Sequence, residues 1–188
     1  MRNWRSILAA SGLGTLFLAG CLHSEQKVAL VQASAQPQLP RQVRIYIRLA
    51  PNHPRQKPAD AESGKKTAQA LSEAFAKHAK GVRVGKQFEE VPEALATARQ
   101  ANCQYLVSPT ILRWEDHTTE WTGRRDRIEI KVELFEVSSG DLLYAAVLHG
   151  RSRWMTDGGD APQDLLAEPV NRFVSSLFRA THVPSALR

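Results

Sequence analysis

The sequence predicts an α+β fold: a mixed sheet with two N-terminal crossover helices, an antiparallel hairpin region and a C-terminal helix. Strand-like and helix-like segments alternate through the first half of the chain, which is typical of strands joined by crossover helices. The second half has two strand-like segments around a short turn, which indicates a hairpin. A final apolar segment has helical spacing. These features predict one domain over residues 42–182 and a tail over 183–188.

The first 20 residues have the pattern of a removed targeting signal. Arg2 and Arg5 supply a positive start, and an apolar stretch of about a dozen residues follows. This stretch is shorter than the roughly 20 apolar residues that a membrane-spanning helix needs. The run Leu18-Ala19-Gly20-Cys21 resembles a bacterial lipobox. The resemblance implies cleavage before Cys21 and lipidation at that residue.

Composition limits the class of protein. The chain has 188 residues and a formal net charge of +6. Arg2 and Arg5 lie in the leader and none of the 19 acidic residues does, so removal of the leader lowers the charge to +4. A mild positive excess without a clustered basic stripe or a recognisable binding module does not indicate a nucleic-acid partner.

The cysteines and the segment after the leader give two further predictions. A lipidated Cys21 leaves Cys103 without a disulfide partner, and Cys103 is expected to be a structural thiol. Residues 21–41 are polar, rich in Gln, Ala and Pro, and without clear periodicity. They predict a flexible tether with a reach of roughly 25 Å; a short helix over 28–32 is the alternative.

The next segments predict the two crossover helices. Val43, Ile45, Ile47 and Leu49 alternate with polar or aromatic residues, which indicates a half-buried strand. A helix is expected from an N-cap at Ser63 to about Lys80, before Gly81. A short strand over 82–84 and a second helix from Pro92 to about Asn102 follow. Residues 104–109 then predict a buried strand that continues to Glu115.

The hairpin has the clearest strand pattern in the chain. Ile128, Ile130, Val132 and Leu134 alternate with charged residues, and the turn at 138–141 leads into a returning strand over 142–149. A C-terminal helix is expected after Pro162, with Pro169 kinking or splitting it. Its apolar stripe consists of Leu166, Val170, Phe173, Val174 and Leu177.

The segment from Trp114 to Arg127 is the densest collection of aromatic, acidic and basic side chains. In the favoured, structural interpretation, Trp114 and Trp121 cover the end of the sheet while carboxylates pair with arginines across a hairpin. The alternative is a ligand or partner patch, because exposed Trp and Arg suit binding surfaces. The candidate patch comprises Trp114, Glu115, Asp116, His117, Glu120, Trp121, Arg124, Asp126 and Arg127.

Part of this segment also suggests a periplasmic hydrolase or a metal-dependent enzyme. Carboxylate and imidazole groups over residues 115–120 have the right chemistry for acid-base catalysis or metal binding. Their spacing matches no metal-ligand pattern, and an extended chain would divide them between two faces. We therefore predict no catalytic residue, no metal and no cofactor. A small-ligand carrier is a further alternative, which requires a sizeable pocket between sheet and helices.

Several short runs carry a family resemblance. They are Thr67-Ala68, Ala74-Phe75, Ala98-Arg99, Tyr105-Leu106-Val107-Ser108-Pro109, Trp114-Glu115-Asp116, Thr119-Glu120-Trp121-Thr122-Gly123, Asp126-Arg127 and Asp164-Leu165-Leu166. Together they resemble an uncharacterised family of small bacterial lipoproteins, a domain of unknown function, over nearly all of the mature domain. His117 departs from the arginine that the family pattern has there.

These observations predict a lipid-anchored bacterial envelope protein that binds a protein partner, as an accessory component of an assembly or transport complex. The element order also resembles small domains of other envelope lipoproteins that assist transport or assembly. Leu22 stands where familiar inner-membrane retention signals have aspartate. By this resemblance, the expected location is the periplasmic face of the outer membrane.

Overall fold

The structure is a computed structural model and describes residues 26–32, 36–52, 62–116, 125–152 and 161–179. It has the predicted α+β architecture, in which helices pack on both faces of a mixed sheet. A short 3₁₀ helix, Pro162–Leu165, precedes the last α-helix. The other elements are β1 (Gln26–Gln32), β2 (Arg44–Leu49), α1 (Ser63–Ala76), β3 (Gly81–Phe88), α2 (Val91–Gln100), β4 (Tyr105–Glu115), β5 (Arg127–Glu136), β6 (Leu142–Arg151) and α3 (Ala167–Leu177).

The sheet has six strands in the order β1-β6-β5-β4-β2-β3. β2 pairs in parallel with both β3 and β4, so α1 and α2 are the crossover helices that the sequence predicted. β4, β5, β6 and β1 pair antiparallel in turn. The predicted hairpin of β5 and β6 is confirmed, and Gly140 in its turn has φ +83°, a conformation that glycine adopts without strain.

The main core lies between one sheet face and the helices α1 and α3. Side chains of both helices pack against alternate residues of β2, β5 and β6. The period of two in β5 puts Ile128, Ile130, Val132 and Leu134 in this core, as predicted.

A smaller core lies on the opposite face, under α2. It contains Tyr46, Ala94, Leu95, Ala98, Cys103, Leu106 and Val137. β2 is therefore buried on both faces, and the prediction of a half-buried strand was wrong. The physical reason is its central position between two parallel neighbours, each reached through a covering helix. α2 itself begins and ends as predicted, and Asn102 closes it in the left-handed conformation at φ 53°.

The segment predicted as a tether contains a strand. β1 lies at one edge of the sheet and pairs antiparallel with β6, from Gln26 opposite Gly150 to Gln32 opposite Ala145. The prediction of a flexible tether or a short helix was wrong for these seven residues. An edge strand gains its backbone hydrogen bonds from one neighbour and needs no regular apolar pattern of its own. The chain between Cys21 and the sheet is correspondingly shorter.

The ends of α1 and β3 also differ from the predictions. Ser63 is inside the first turn of α1 and fully buried, so it does not cap the helix. The Asn52 side chain supplies a long-range cap instead, since its Oδ1 accepts a hydrogen bond from the Gly64 amide at 3.0 Å. α1 ends at Ala76 rather than Lys80, and β3 extends to Phe88 rather than Val84.

The predicted break in the C-terminal helix occurs before Pro169. The 3₁₀ turn ends at Leu165 and α3 begins at Ala167, so Pro169 falls in the first turn of the α-helix. Proline is tolerated there because the amide groups of the first turn have no partner within the helix. The predicted apolar stripe packs into the main core.

His78 lies where α1 meets α3, in surroundings that disfavour its protonated form. Its ring stacks on Phe178 with centroids 5.2 Å apart, and its buried Nδ1 has no hydrogen-bond partner among the described residues. Burial lowers the pKa of His78, and the positive charges of Arg41 and Lys77 lower it further. The folded state thus disfavours the protonated ring. The contribution of His78 to the free energy of unfolding is therefore fully present above the ordinary pKa of about 6.5. It is lost as the pH drops below this value toward the pKa of the folded state.

We expect the substitution His78→Phe to remove this contribution while keeping an aromatic ring against Phe178. The free energy of unfolding, measured by urea titration between about pH 7 and pH 5, should decline less steeply in the variant than in the wild type. Equal slopes in the two proteins would show that His78 does not couple stability to pH.

Candidate functional site

Trp114, the first residue of the predicted patch, is part of the core. Leu112 forms a bulge in β4, since Ile111 pairs with Ile130 and Arg113 with Glu129. The extra residue turns Trp114 toward the main core, where its side chain is only 4% exposed. Trp114 therefore packs in the main core at the end of the sheet and offers almost no surface for a contact.

A ladder of charges lies on the other face of the same strands. Glu115 stands opposite Arg127 in the register of β4 and β5. Arg113 bridges Glu115 at 3.0 Å and Glu129 at 3.3 Å. These groups are partly exposed, so each pair contributes at most about 1 kcal/mol and mainly fixes the register.

The remaining patch residues do not form one described site. Asp126 is buried, and its backbone is tied to Ser152 through two hydrogen bonds of 3.0 Å. Asp116 follows the end of β4. Four other predicted residues lie outside the described part of the chain, as does Cys21; the four are His117, Glu120, Trp121 and Arg124. The structure thus brings Glu115 and Arg127 together and leaves the wider patch as a prediction.

A polar cluster of buried and partly buried side chains, which the sequence analysis missed, lies under α2. We call it the Glu89 cluster; it comprises Tyr46, Arg48, Glu89, Thr97 and Ser108. The two carboxylate oxygens of Glu89 accept hydrogen bonds of 2.5 Å from the hydroxyls of Tyr46 and Thr97. Arg48 is 6% exposed, and its guanidinium donates to the Ser108 hydroxyl and to the Glu89 backbone carbonyl.

The electrostatics of this cluster favour structure over reaction chemistry. Burial and the hydrogen bond to Glu89 raise the pKa of Tyr46, so its hydroxyl keeps its proton. Burial lowers the pKa of Arg48, and the nearby carboxylates Glu90 and Glu133 oppose that shift. The described groups of the cluster satisfy one another, and the cluster ties the end of β3 to the centre of the sheet.

An open groove lies beside the cluster. It has a volume of about 610 Å³ and is lined by Tyr46, Glu89, Thr97 and residues of β3, including Arg83 and Lys86. Gly85 forms part of its wall, and a Cβ atom there would lie 2.9 Å from the Tyr46 hydroxyl. Glycine therefore lets β3 approach Tyr46 closely.

Cys103 also has the surroundings of a structural residue. Burial raises the pKa of the Cys103 thiol, and Cys103 packs in the smaller core, which supports the structural role expected for it. Within the described ranges, no three His, Cys, Asp or Glu side chains are grouped as metal ligands. Among the described helices, none combines the length and apolar character needed to cross a bilayer.

The fold and these surfaces define a small α+β domain with a mixed sheet, a filled main core and a solvent-open groove beside its edge strand. The family model described as a domain of unknown function (DUF4823) matches residues 37–177, and the chain belongs to this family. The family resemblance drawn from the sequence is therefore confirmed. A search of curated proteins found no match.

Solved structures with a similar fold include two of one protein. A PelC dodecamer from Paraburkholderia phytofirmans has a TM-score of 0.59 and 19% identity, covering 78% of this chain and 96% of that chain. A single-substitution variant of that dodecamer has a TM-score of 0.60 and 16% identity, covering 82% and 98%. Lipoprotein GNA1162 from Neisseria meningitidis has a TM-score of 0.43 and 14% identity, covering 71% and 96%.

Proposed function

We propose that this protein is a lipid-anchored lipoprotein of the bacterial envelope that acts by binding other envelope proteins, without catalysis. The observation that carries the proposal is the lipobox-like run ending at Cys21, directly after a short apolar stretch with a basic start. A lipid anchor on Cys21 would hold the folded domain at the membrane surface. Because Leu22 follows the cysteine, we place the anchor in the periplasmic leaflet of the outer membrane.

The described polar groups support binding over catalysis. A catalytic nucleophile or base needs a pKa matched to its task, whereas burial raises the pKa of both Tyr46 and Cys103. Glu115, from the suggested acidic site, is held by Arg113 in an ion pair. Asp116 follows the end of β4, and His117 and Glu120 lie outside the described ranges.

The small-ligand carrier is less well supported. A carrier would need an apolar chamber between sheet and helices. Large side chains, including Phe75, Phe173 and Leu177, fill the space between the sheet and the helices α1 and α3. The groove beside β3 is open to solvent, which suits a protein contact better than an enclosed ligand.

Replacing Cys21 by serine tests the anchor. Without the thiol, diacylglyceryl transfer cannot occur, so we expect an unprocessed precursor that gains no acyl mass. The wild-type protein should be found as an acylated mature form in the outer-membrane fraction of a sucrose gradient. Intact mass spectrometry after membrane extraction measures both outcomes.

Cys103→Ser is the matched control, since it removes the other cysteine of the chain. It should leave processing, acylation and membrane location unchanged. An acylated, mature Cys21→Ser protein would contradict the proposed anchor. Recovery of the wild type in the inner-membrane fraction would contradict the proposed location.

A further inference from the structure

One end of the domain is strongly basic. It is formed by the starts of β2 and β3 and the C-terminal ends of all three α-helices. Seven exposed cations lie there among the described residues, and we call this surface the basic end: Arg41, Arg44, Lys77, Lys80, Arg83, Arg99 and Arg179. The acidic residues that the structure describes near it are Glu73, Glu136 and Asp141. The basic end therefore keeps a clear positive excess.

Backbone contacts bring these cations together. Arg44 begins β2 and lies opposite Gly81, which begins β3. The Lys80 amide donates to the Val43 carbonyl at 3.0 Å, which places the end of α1 beside the same strand. The Leu39 amide donates to the Leu177 carbonyl at 2.7 Å, which places the end of α3 there as well.

Helix capping explains only part of this cluster. Cations near the ends of α1, α2 and α3 complement the negative ends of the helix dipoles. Arg44 and Arg83 lie on strands, which carry only small net dipoles. They line neighbouring grooves: Arg83 the groove of about 610 Å³ and Arg44 a second groove of about 400 Å³. Positive charge beside open grooves suits the docking of an acidic partner.

The sheet register shows which way the basic end points, provided that Cys21 carries the lipid as proposed above. β1 begins with Gln26 opposite Gly150, and Gly150 lies opposite Ile128 of β5. The basic end is at the level of Glu136, the other end of β5. The chain thus enters the sheet from the anchor at the end farthest from the seven cations.

The length of the connection between Cys21 and β1 limits how the domain can be oriented at the membrane. Five residue steps join Cys21 to Gln26, so the connection spans at most about 18 Å. The eight steps from Ile128 to Glu136 measure about 26 Å along the strand. If the strands stood upright with the basic end on the bilayer, Gln26 would lie farther from the surface than this connection can reach. An upright domain therefore presents the seven cations away from the lipid headgroups.

We propose that the basic end is a docking surface for an acidic protein partner, presented to the periplasm on the side of the domain away from its membrane. A second copy of this chain offers the same positive surface, and like charges facing each other oppose such a pairing. In an upright domain the bilayer is out of reach for the geometric reason above. An acidic protein surface satisfies both the charge and the orientation.

Binding of poly-L-glutamate by the full acylated protein in neutral detergent tests the charge recognition. The variant carrying Lys80→Glu and Arg83→Glu should bind at least about tenfold more weakly than wild type at low salt. The matched control carries Lys65→Glu and Lys66→Glu, at the opposite end of α1. It changes the net charge equally and should bind within about twofold of wild type.

The results separate the proposal from its rivals. Equal weakening in both double variants would indicate a response to net charge alone and would overturn a specific surface. Light scattering on the same samples should give one oligomeric state for all three proteins. A change confined to the Lys80 and Arg83 variant would make the basic end a contact between copies and would also overturn the proposal.

The orientation is tested with single fluorophores on the acylated protein in vesicles of phosphatidylethanolamine and phosphatidylglycerol. In a Cys103→Ser background, one label is placed by Asp116→Cys, beyond the end of β4, and another by Ser138→Cys, beside the basic end. Nitroxide-labelled headgroup lipid should quench the label at 116 strongly and the label at 138 little. Stronger quenching at 138 would mean that the bilayer occupies the basic end. Absence of acylation would instead contradict the proposed anchor, whatever the polyglutamate result.

Discussion

Replacing Gly64 by alanine is expected to lower the free energy of unfolding by about 3 kcal/mol or more. Gly64 is in the first turn of α1, where the helix passes directly over the end of β2. A Cβ atom there would lie 2.2 Å from the Ala50 carbonyl oxygen. The carbonyl belongs to the backbone and the position of a Cβ is fixed by the backbone, so the clash can be relieved only if the helix moves away from the sheet. That movement would also break the hydrogen bond from the Gly64 amide to Asn52.

Gly81→Ala is the matched control for this prediction. A Cβ atom at Gly81 would meet only the flexible Arg44 side chain, at an ordinary 3.6 Å. Its effect should stay within about 1 kcal/mol. Urea denaturation of both variants gives the two free energies. A Gly64→Ala protein as stable as Gly81→Ala would show that α1 can shift on the sheet at little cost.

The parts of the fold predicted correctly are those that depend on local pattern. β5 alternates strictly because one face is buried and the other is partly exposed. α2 has its boundary signals in the sequence: Pro92 in the first turn and Asn102 after the last. Such signals involve residues a few positions apart, so a single sequence is enough to read them.

The parts predicted wrongly depend on distant partners. The strand character of β1 comes from pairing with β6, more than a hundred residues away. The cap of α1 comes from Asn52 instead of the neighbouring Ser63. Burial of the second face of β2 requires α2, which packs with Tyr46 in the smaller core, and the end of β3, which contacts Arg48. No local periodicity could have indicated these contacts.

The candidate site also combines contacts that the local sequence indicates with contacts between distant residues that it does not. Pairing of Glu115 and Arg127 follows from their places on either side of a hairpin, and the sequence indicated it. The Glu89 cluster joins residues 41 to 60 positions apart in its longer contacts, so no motif marks it. The one signal available was Arg48, a charged residue between the apolar residues Ile47 and Leu49. The alternating pattern placed Arg48 on an exposed face of β2. Alternation predicts which residues share a face, but it does not predict whether another element covers that face.

The position of β1 also changes how the proposed anchor on Cys21 would act. A tether ending near residue 41 would let the domain rotate freely above the membrane. A strand beginning at Gln26 leaves a connection of at most about 18 Å, which in an upright domain keeps the Ile128 end near the bilayer. A short anchor can thus direct the opposite end of the sheet toward a partner without any contact between the domain and lipid.

Arg48→Met is expected to be the other strongly destabilising substitution, by about 2–4 kcal/mol. Arg48 Nε donates to the Ser108 hydroxyl at 2.6 Å, and Nη1 donates to the Glu89 carbonyl at 2.9 Å. The guanidinium also lies over the Phe88 ring, 5.4 Å from its centroid. Methionine fills similar space but supplies no donor, so the buried Ser108 hydroxyl and the partly buried Glu89 carbonyl lose this partner. Removing the buried charge recovers part of this loss, because desolvation disfavours the charged form.

A double-mutant cycle between Arg48→Met and Ser108→Ala measures the central contact of the Glu89 cluster. The two side chains should show a coupling energy of about 1 kcal/mol or more, since each is buried and neutral substitution of one leaves the other unsatisfied. Arg48→Lys should fall well short of the wild-type stability, because one ammonium cannot reproduce the forked geometry that reaches both acceptors. Additive effects in the cycle, or a lysine variant as stable as the wild type, would mean that Arg48 acts only as a general charge. The end of β3, and the groove beside it, would then depend on the backbone pairing of β3 with β2 and on the contacts of Tyr46 and Thr97 with Glu89.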